Sequence, residues 1–202
     1  MTRKNTFLPV LLLALTLGII ALVTVLGPTE KTLGANLHIV ILHGAWVWTG
    51  LAVIGAAALA GFLGLLLHKR TDLAGWSLAL GRTGLMFWLI YLPMSLLVMQ
   101  LNWGGFFLAE PRWKISFSFV VVGVLLQVGL SLLHSPRLTC ASNLVFAVAL
   151  AWNLMVAQNI LHPASPVASS NSGTIQLFFI ILLGLCLLLS GQVAWLFNRL
   201  KR

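Results

Sequence analysis

The sequence predicts an all-α protein that forms a single transmembrane domain of six helices. Hydrophobic residues make up 60% of the 202 residues and charged residues only 7%, whereas a soluble domain carries about 25% charged residues. The apolar residues also fall into six runs, each long enough to cross a hydrocarbon core of about 30 Å. These two observations exclude an ordinary soluble domain.

The six apolar runs define the predicted helices in order. Arg3 and Lys4 precede the first run, which exceeds the roughly 7 to 15 apolar residues of a signal peptide and is interpreted as a membrane anchor. The second run is rich in Gly and Ala, as closely packed membrane helices are, and a polar connector with Asp72 and Arg82 follows it. Pro93 lies inside the third run, where neighbouring helices can satisfy the freed carbonyl. The predicted helices span residues 6–26, 37–67, 84–101, 115–133, 138–161 and 174–196.

The distribution of positive charge predicts the orientation of these helices. If the six runs alternate in direction, all but three of the 12 Lys and Arg residues lie on one side of the membrane, and only Lys31, Arg112 and Lys114 lie on the other. Because cytoplasmic loops carry the excess of Lys and Arg, we expect both termini to be cytoplasmic. The segments 102–112 and 163–173 then belong to the outer face.

Histidines are expected near the outer ends of two different helices. His43 lies one to two turns inside the second run, beside Gly44 and Ala45, which we expect to leave room for a flat ligand, and His162 ends the fifth run. Ionisable groups in membrane helices are rare and usually functional, and imidazole is an axial ligand of haem iron. The two histidines therefore point to a haem with two axial imidazoles. His38 is the alternative to His43.

An aromatic loop joins the third and fourth runs and contains one of the three acids in the chain. Its aromatic side chains are expected to pack on the macrocycle of a haem. Arg112, together with Lys31 or Lys114, is expected to pair with the propionates. The alternative for Glu110 and Arg112 is a simple surface ion pair. The aromatic candidates are Trp103, Phe106, Phe107 and Trp113.

Other functions find little support in the sequence. The Lys and Arg residues occur in short clusters between apolar runs, which argues against nucleic-acid binding. Cys140 and Cys186 both lie in apolar runs, so the sequence indicates neither a disulfide framework nor a redox pair. The three acids cannot complete a Ser-His-Asp set. The sequence therefore indicates no hydrolytic or other classical active site.

Residues Trp103 to Arg112, with the sequence WGGFFLAEPR, resemble the tryptophan-rich haem-handling motif W-G-x-W-W-x-W-D-x-R of the CcmC and CcsA cytochrome c biogenesis proteins. The alignment needs no gap. The first Trp, the Gly and the Arg match, two Phe residues stand in place of Trp, Glu110 replaces Asp, and Ala109 departs from the motif. The segment His38 to Trp46 is similar to the family's histidine-containing start of the second helix, and Asn159 to Pro163 is similar to its N-x-L-H segment.

The resemblance implies a CcmC-like bundle that binds haem b at the outer face of a membrane. It implies delivery of that haem to a haem chaperone, which is CcmE in the CcmC system, or to an apocytochrome c, and thus at most a haem-transfer role or a component of a haem lyase. His43 and His162 would be the axial ligands, the aromatic loop the porphyrin platform, and Glu110 with Arg112 the polar end of the motif. The expected location is the cytoplasmic membrane of a bacterium or archaeon, or an organellar equivalent, in contact with membrane lipid.

Two other functions remain open. The missing tryptophans remove indole N–H donors that would engage a partner, which suits a haem-bearing subunit of an electron-transfer complex that keeps its haem and contacts redox subunits. A haem-free structural or assembly subunit is the third hypothesis. The three hypotheses differ in whether haem is lost to a partner, held and reversibly reduced, or absent.

Overall fold

The computed structural model describes residues 7–31, 33–67, 70–160, 167 and 170–201. Within these ranges the protein is all-α and contains six helices. Each of the six is long and apolar enough to cross a membrane, which confirms the predicted fold class and indicates a multi-pass membrane protein. The helices are α1 (Phe7–Val25), α2 (Asn36–Leu66), α3 (Thr71–Trp103), α4 (Pro111–Leu133), α5 (Pro136–Val156) and α6 (Gly173–Lys201).

The third helix is longer than predicted. The segment with Asp72 and Arg82, expected to be a polar connector, is helical, and α3 begins at Thr71. Its 33 residues correspond to about 50 Å, so α3 extends beyond a hydrocarbon core. The extension packs against α2, because the hydroxyl of Ser77 donates to the carbonyl oxygen of Ala57 at 2.9 Å.

The fifth helix is shorter than predicted at its end. It stops at Val156, and Ala157 is already extended. Asn159 then adopts a φ of 57°, a conformation that a helix does not tolerate. The predicted end of this helix, residue 161, lies outside the described residues.

Helices α2 and α3 form the centre of the bundle. They pack closely: a Cβ atom on Gly84 of α3 would lie 2.6 Å from Cγ1 of Ile54 in α2. Helices α1 and α6 lie on one side of this pair and α4 and α5 on the other, and α6 contacts neither α4 nor α5 in the described part of the chain. The neighbouring side chains of Phe87 and Trp88 belong to the two apolar clusters that fill these two sides.

Short connections gather the helix ends at two ends of the bundle. His134, with a φ of 51°, and the N-cap Ser135 turn α4 into α5, which confirms the predicted helical hairpin. At the other end, Nδ2 of Asn36 in the first turn of α2 donates to the carbonyl oxygen of Leu101 near the end of α3, at 3.1 Å. We call this second end the His43 end, and the end with the α4–α5 turn the Arg137 end.

Candidate functional site

The side chain of His43 faces α3 about two turns inside α2. Its imidazole stacks on the ring of Tyr91, with centroids 5.2 Å apart and an interplanar angle of 29°. The Tyr91 ring in turn packs against Trp88, also at 5.2 Å. Three rings thus follow one another from α2 into α3. Because Nε2 of His43 is buried, the imidazole must turn from this position before that atom can reach a ligand from outside the bundle.

The space expected beside His43 is filled. A Cβ atom on Gly44 would lie 3.6 Å from Cε2 of Phe179 in α6, an ordinary van der Waals distance. Ala45 is fully buried. These small residues let α6 approach α2, which is their usual role in membrane helices. The expectation that Gly44 and Ala45 leave room for a flat ligand is therefore wrong.

His38 contacts a different neighbour from His43. Its ring packs edge-on against Phe178 of α6, with centroids 6.4 Å apart. A Cβ atom on Gly27 would lie 3.1 Å from Cδ2 of His38, so the segment after α1 also meets this histidine. A separation of five residues places the two histidines about 140° apart around α2. His38 thus belongs to the side of α1 and α6, and His43 faces α3.

The aromatic loop is shorter than the predicted segment 102–112. Trp103 ends α3, and Gly104, with a φ of 70°, provides the left-handed C-cap that favours glycine. Trp103 and Phe107 pack edge to face with centroids 5.5 Å apart. The side chain of Phe106 is 61% exposed. The loop therefore presents aromatic surface at the His43 end.

Glu110 is buried at the start of α4. Its Oε2 accepts the backbone N–H of Trp113 at 2.7 Å, which caps the helix. Its Oε1 is also buried and has no hydrogen-bond partner among the described residues. Since the residue is only 3% exposed, the alternative of a surface ion pair with Arg112 is wrong. The pairing of Glu110 with Pro111 at the first helical position was the sequence signal for this cap.

Tyr91 connects His43 with the start of α4. Its hydroxyl lies near the hydroxyls of Ser95 in α3 and Ser116 in α4, and Glu110 and Arg112 belong to the same surroundings. The sequence does not predict the contact of Tyr91 with His43. The two residues lie 48 positions apart (91 − 43), and no motif contains Tyr91. The structure thus brings His43 and the polar end of the aromatic loop together around one tyrosine.

The first turn of α4 holds the remaining candidates. Trp113 is half-buried and stacks on Phe117, with centroids 5.5 Å apart and an interplanar angle of 12°. Arg112 is half-buried and Lys114 is exposed. The partial positive charge at a helix N-terminus disfavours cations and favours anions. Two basic residues at this position are therefore suited to an anionic ligand.

His162 lies outside the described residues, so its role as a ligand stays a prediction. The helix that precedes it, α5, packs against α2, α3 and α4 and not against α6. Among the described residues, no group of three or more His, Cys, Asp or Glu side chains is placed to hold a metal ion. A haem iron differs from such an ion, because the porphyrin supplies four of its ligands and the protein only the axial ones.

The described site offers an imidazole, exposed aromatic rings and two cations at one end of the bundle. This donor set fits a haem in its chemistry, although the imidazole must turn to reach an iron. No protein-family model, curated protein or solved structure matches this chain. The resemblance to the haem-handling proteins therefore depends on Trp103 to Arg112 and on the placement of the histidines.

Proposed function

We propose that this protein binds haem b at the outer face of the cytoplasmic membrane and handles or delivers it for cytochrome c maturation. The observation that carries the proposal is that Tyr91 lies between His43 and the polar end of the aromatic loop. His43 and the loop are far apart in the chain and share one end of the bundle. A haem site needs an imidazole nitrogen, flat apolar contacts and cations for the propionates, and His43, the exposed rings of the loop and Arg112 with Lys114 would supply them once the imidazole turns.

The proposed roles follow from the chemistry of each side chain. His43 and His162 would hold the haem iron, and the rings of Trp103, Phe106 and Phe107 would contact the macrocycle, with Trp113 beside them. Arg112, with Lys114 or Lys31, pairs with the propionates. Glu110 fixes the start of α4 and so positions Arg112. When bound, haem would supply the iron centre that the protein delivers to its partner.

His43 is favoured over His38 as the ligand by its position around α2. His43 shares Tyr91 with Ser116 of α4, whereas His38 packs on Phe178 of α6. The helix that leads to His162 lies with α4 and away from α6. His43 and His162 would therefore reach a common haem from the same side of the α2–α3 pair.

A hemin titration of the detergent-purified protein tests the proposal. We expect one haem per chain with a low-spin absorption spectrum. The double variant Trp103→Ala/Phe107→Ala should lower the affinity by about tenfold or more, since each ring contributes roughly 1 kcal/mol of aromatic contact. The matched control is Trp195→Ala, which removes a half-exposed tryptophan from the Arg137 end of α6. Equal loss of affinity in the control, or no stoichiometric binding by the unmodified protein, would refute the proposal.

Burial of Glu110 favours a second function. The acid of the motif is enclosed by the protein and is therefore not available to a soluble partner, which suits a haem that is held permanently in an electron-transfer complex. Adding an apo form of a soluble haem chaperone to the reconstituted protein separates the two functions. Transfer of the haem to the chaperone supports delivery. Retention of a reversibly reducible haem supports electron transfer.

A further inference from the structure

An open groove lies between α3 and α4 towards the Arg137 end, away from the candidate haem site. It has a volume of about 300 Å³. Three polar side chains line it: Arg82, Gln127 and Ser131. The other lining side chains are apolar: Leu85, Val124, Val128 and Leu132. The groove is therefore mainly apolar and has one cation, Arg82, in its wall.

Arg82 forms a hydrogen bond across this groove, next to further polar contacts between helices. Nη2 of Arg82 donates to Oγ of Ser131 at 2.8 Å, and the Ser131 hydroxyl donates in turn to the backbone oxygen of Gln127 at 2.7 Å. Nε2 of Gln127 donates to Oδ1 of Asn143 in α5 at 3.1 Å, and Nδ2 of Asn143 donates to the backbone oxygen of Ser77 at 2.9 Å. One direct hydrogen bond, to Ser131 of α4, thus holds the guanidinium, and the bonds of Gln127 and Asn143 join α4, α5 and α3 beside it.

The charge of Arg82 is not neutralised by the described part of the chain. Ser131 is a neutral acceptor and uses only part of the five donors of the guanidinium. No described carboxylate forms an ion pair with Arg82, and the whole chain has only three acids. A cation beside apolar membrane surface is costly unless an anion or water meets it.

The position of Arg82 matches the level of lipid headgroups. Its partner Ser131 lies in the last turn of α4, a helix of 23 residues. Such a helix is about 34 Å long, close to the hydrocarbon thickness of about 30 Å. The groove faces outward, since Val128 is 53% exposed. Any molecule in it therefore has its polar part at the membrane interface and its apolar part in the hydrocarbon.

We propose that this groove binds an anionic phospholipid of the leaflet at the Arg137 end. The phosphate pairs with Arg82, and one acyl chain lies along Leu85, Val124 and Val128. Basic pockets between membrane helices bind anionic headgroups in this way. The site is independent of the proposed haem site, because it lies at the opposite end of the bundle.

Native mass spectrometry of the detergent-purified protein tests this site. Dioleoylphosphatidylglycerol and dioleoylphosphatidylcholine are added separately, and we expect the protein to retain the anionic lipid preferentially. Arg82→Gln should reduce that retention by at least about fivefold, the factor expected from one basic residue near a membrane surface. Arg82→Lys should restore part of it. The matched control is Arg137→Gln, which removes an exposed cation from the same end but outside the groove.

A second variant keeps the test decisive if Arg82→Gln does not fold. Val128→Trp leaves Arg82 intact and fills the apolar part of the groove, so it should also lose the bound lipid. Equal retention of the two lipids by the unmodified protein would overturn the proposal. Unchanged retention of phosphatidylglycerol in Arg82→Gln or in Val128→Trp would overturn it too, as would displacement of the lipid by millimolar inorganic phosphate alone.

Discussion

Glu110 shows how a single residue of the candidate motif shapes the site. One carboxylate oxygen caps α4 through Trp113, and the same residue lies in the surroundings of Tyr91, on which His43 stacks. The acid therefore orders the start of α4 and the basic residues of its first turn. A replacement that removes the acceptor should disorder this turn.

Glu110→Ala should lower the free energy of unfolding by about 1 kcal/mol, the typical contribution of an N-cap side chain. Glu110→Gln keeps an oxygen that can accept from Trp113 and should retain most of the stability. Thermal unfolding of the two detergent-purified variants measures the difference. Equal midpoints for the alanine and glutamine variants would contradict the assigned cap.

The residues of the site differ in how far the sequence predicts them. Gly104 and Pro111 carry local signals, since a left-handed C-cap favours Gly and the first position of a helix favours Pro. Tyr91 carries none. Its meeting with His43 depends on how α2 and α3 rotate against each other, and such a rotation is decided by packing over the whole interface.

At the scale of the helices, glycine determines how closely α2 meets its neighbours. A Cβ atom on Gly61 would lie 2.6 Å from the backbone oxygen of Cys140 in α5, whereas a Cβ atom on Gly55 would meet nothing within 4 Å. The two glycines belong to the same helix and have similar sequence surroundings. Only the first should be sensitive to an added methyl group.

Gly61→Ala should lower the free energy of unfolding by about 1 to 3 kcal/mol, because the added carbon forces α5 away from α2. Gly55→Ala should leave it unchanged or raise it by up to about 1 kcal/mol, since Ala favours the helix. Thermal unfolding in detergent again provides the measurement. Destabilisation of similar size in both variants would contradict the close approach of α2 and α5 at Gly61.

Hydropathy predicts that the helices exist but not how far they extend. Each apolar run is a helix in the structure, because a single segment that crosses a membrane must satisfy its backbone hydrogen bonds internally. The first turns of α3 were missed, since Asp72 and Arg82 interrupt the apolar pattern and a helix outside the hydrocarbon needs no such pattern. The groove at Arg82 was missed for the same reason, as the residue was assigned to a connector.

At the scale of the whole molecule, the central pair of α2 and α3 separates two sets of helices, and the helix ends divide into two groups. The excess of Lys and Arg at the Arg137 end predicts that this end is cytoplasmic. The candidate haem site then faces outward. This orientation decides where haem would be received and released.

Cysteine labelling with a membrane-impermeant maleimide tests the orientation. Lys31→Cys, exposed at the His43 end, should react in intact spheroplasts, and Arg137→Cys should react only after permeabilisation. The unmodified protein is the control, because its own Cys140 and Cys186 are buried. The reverse labelling pattern would place the candidate site on the cytoplasmic side.

The axial pair is tested most directly by the absorption spectrum of the detergent-purified protein, first oxidised and then reduced with dithionite. The unmodified protein and His38→Ala should both give a low-spin b-type spectrum, since His38 packs on Phe178 and not in the site. His43→Ala and His162→Ala should lose it. A spectrum that survives in His43→Ala, or the absence of stoichiometric haem from the unmodified protein even after incubation with hemin, would contradict the account.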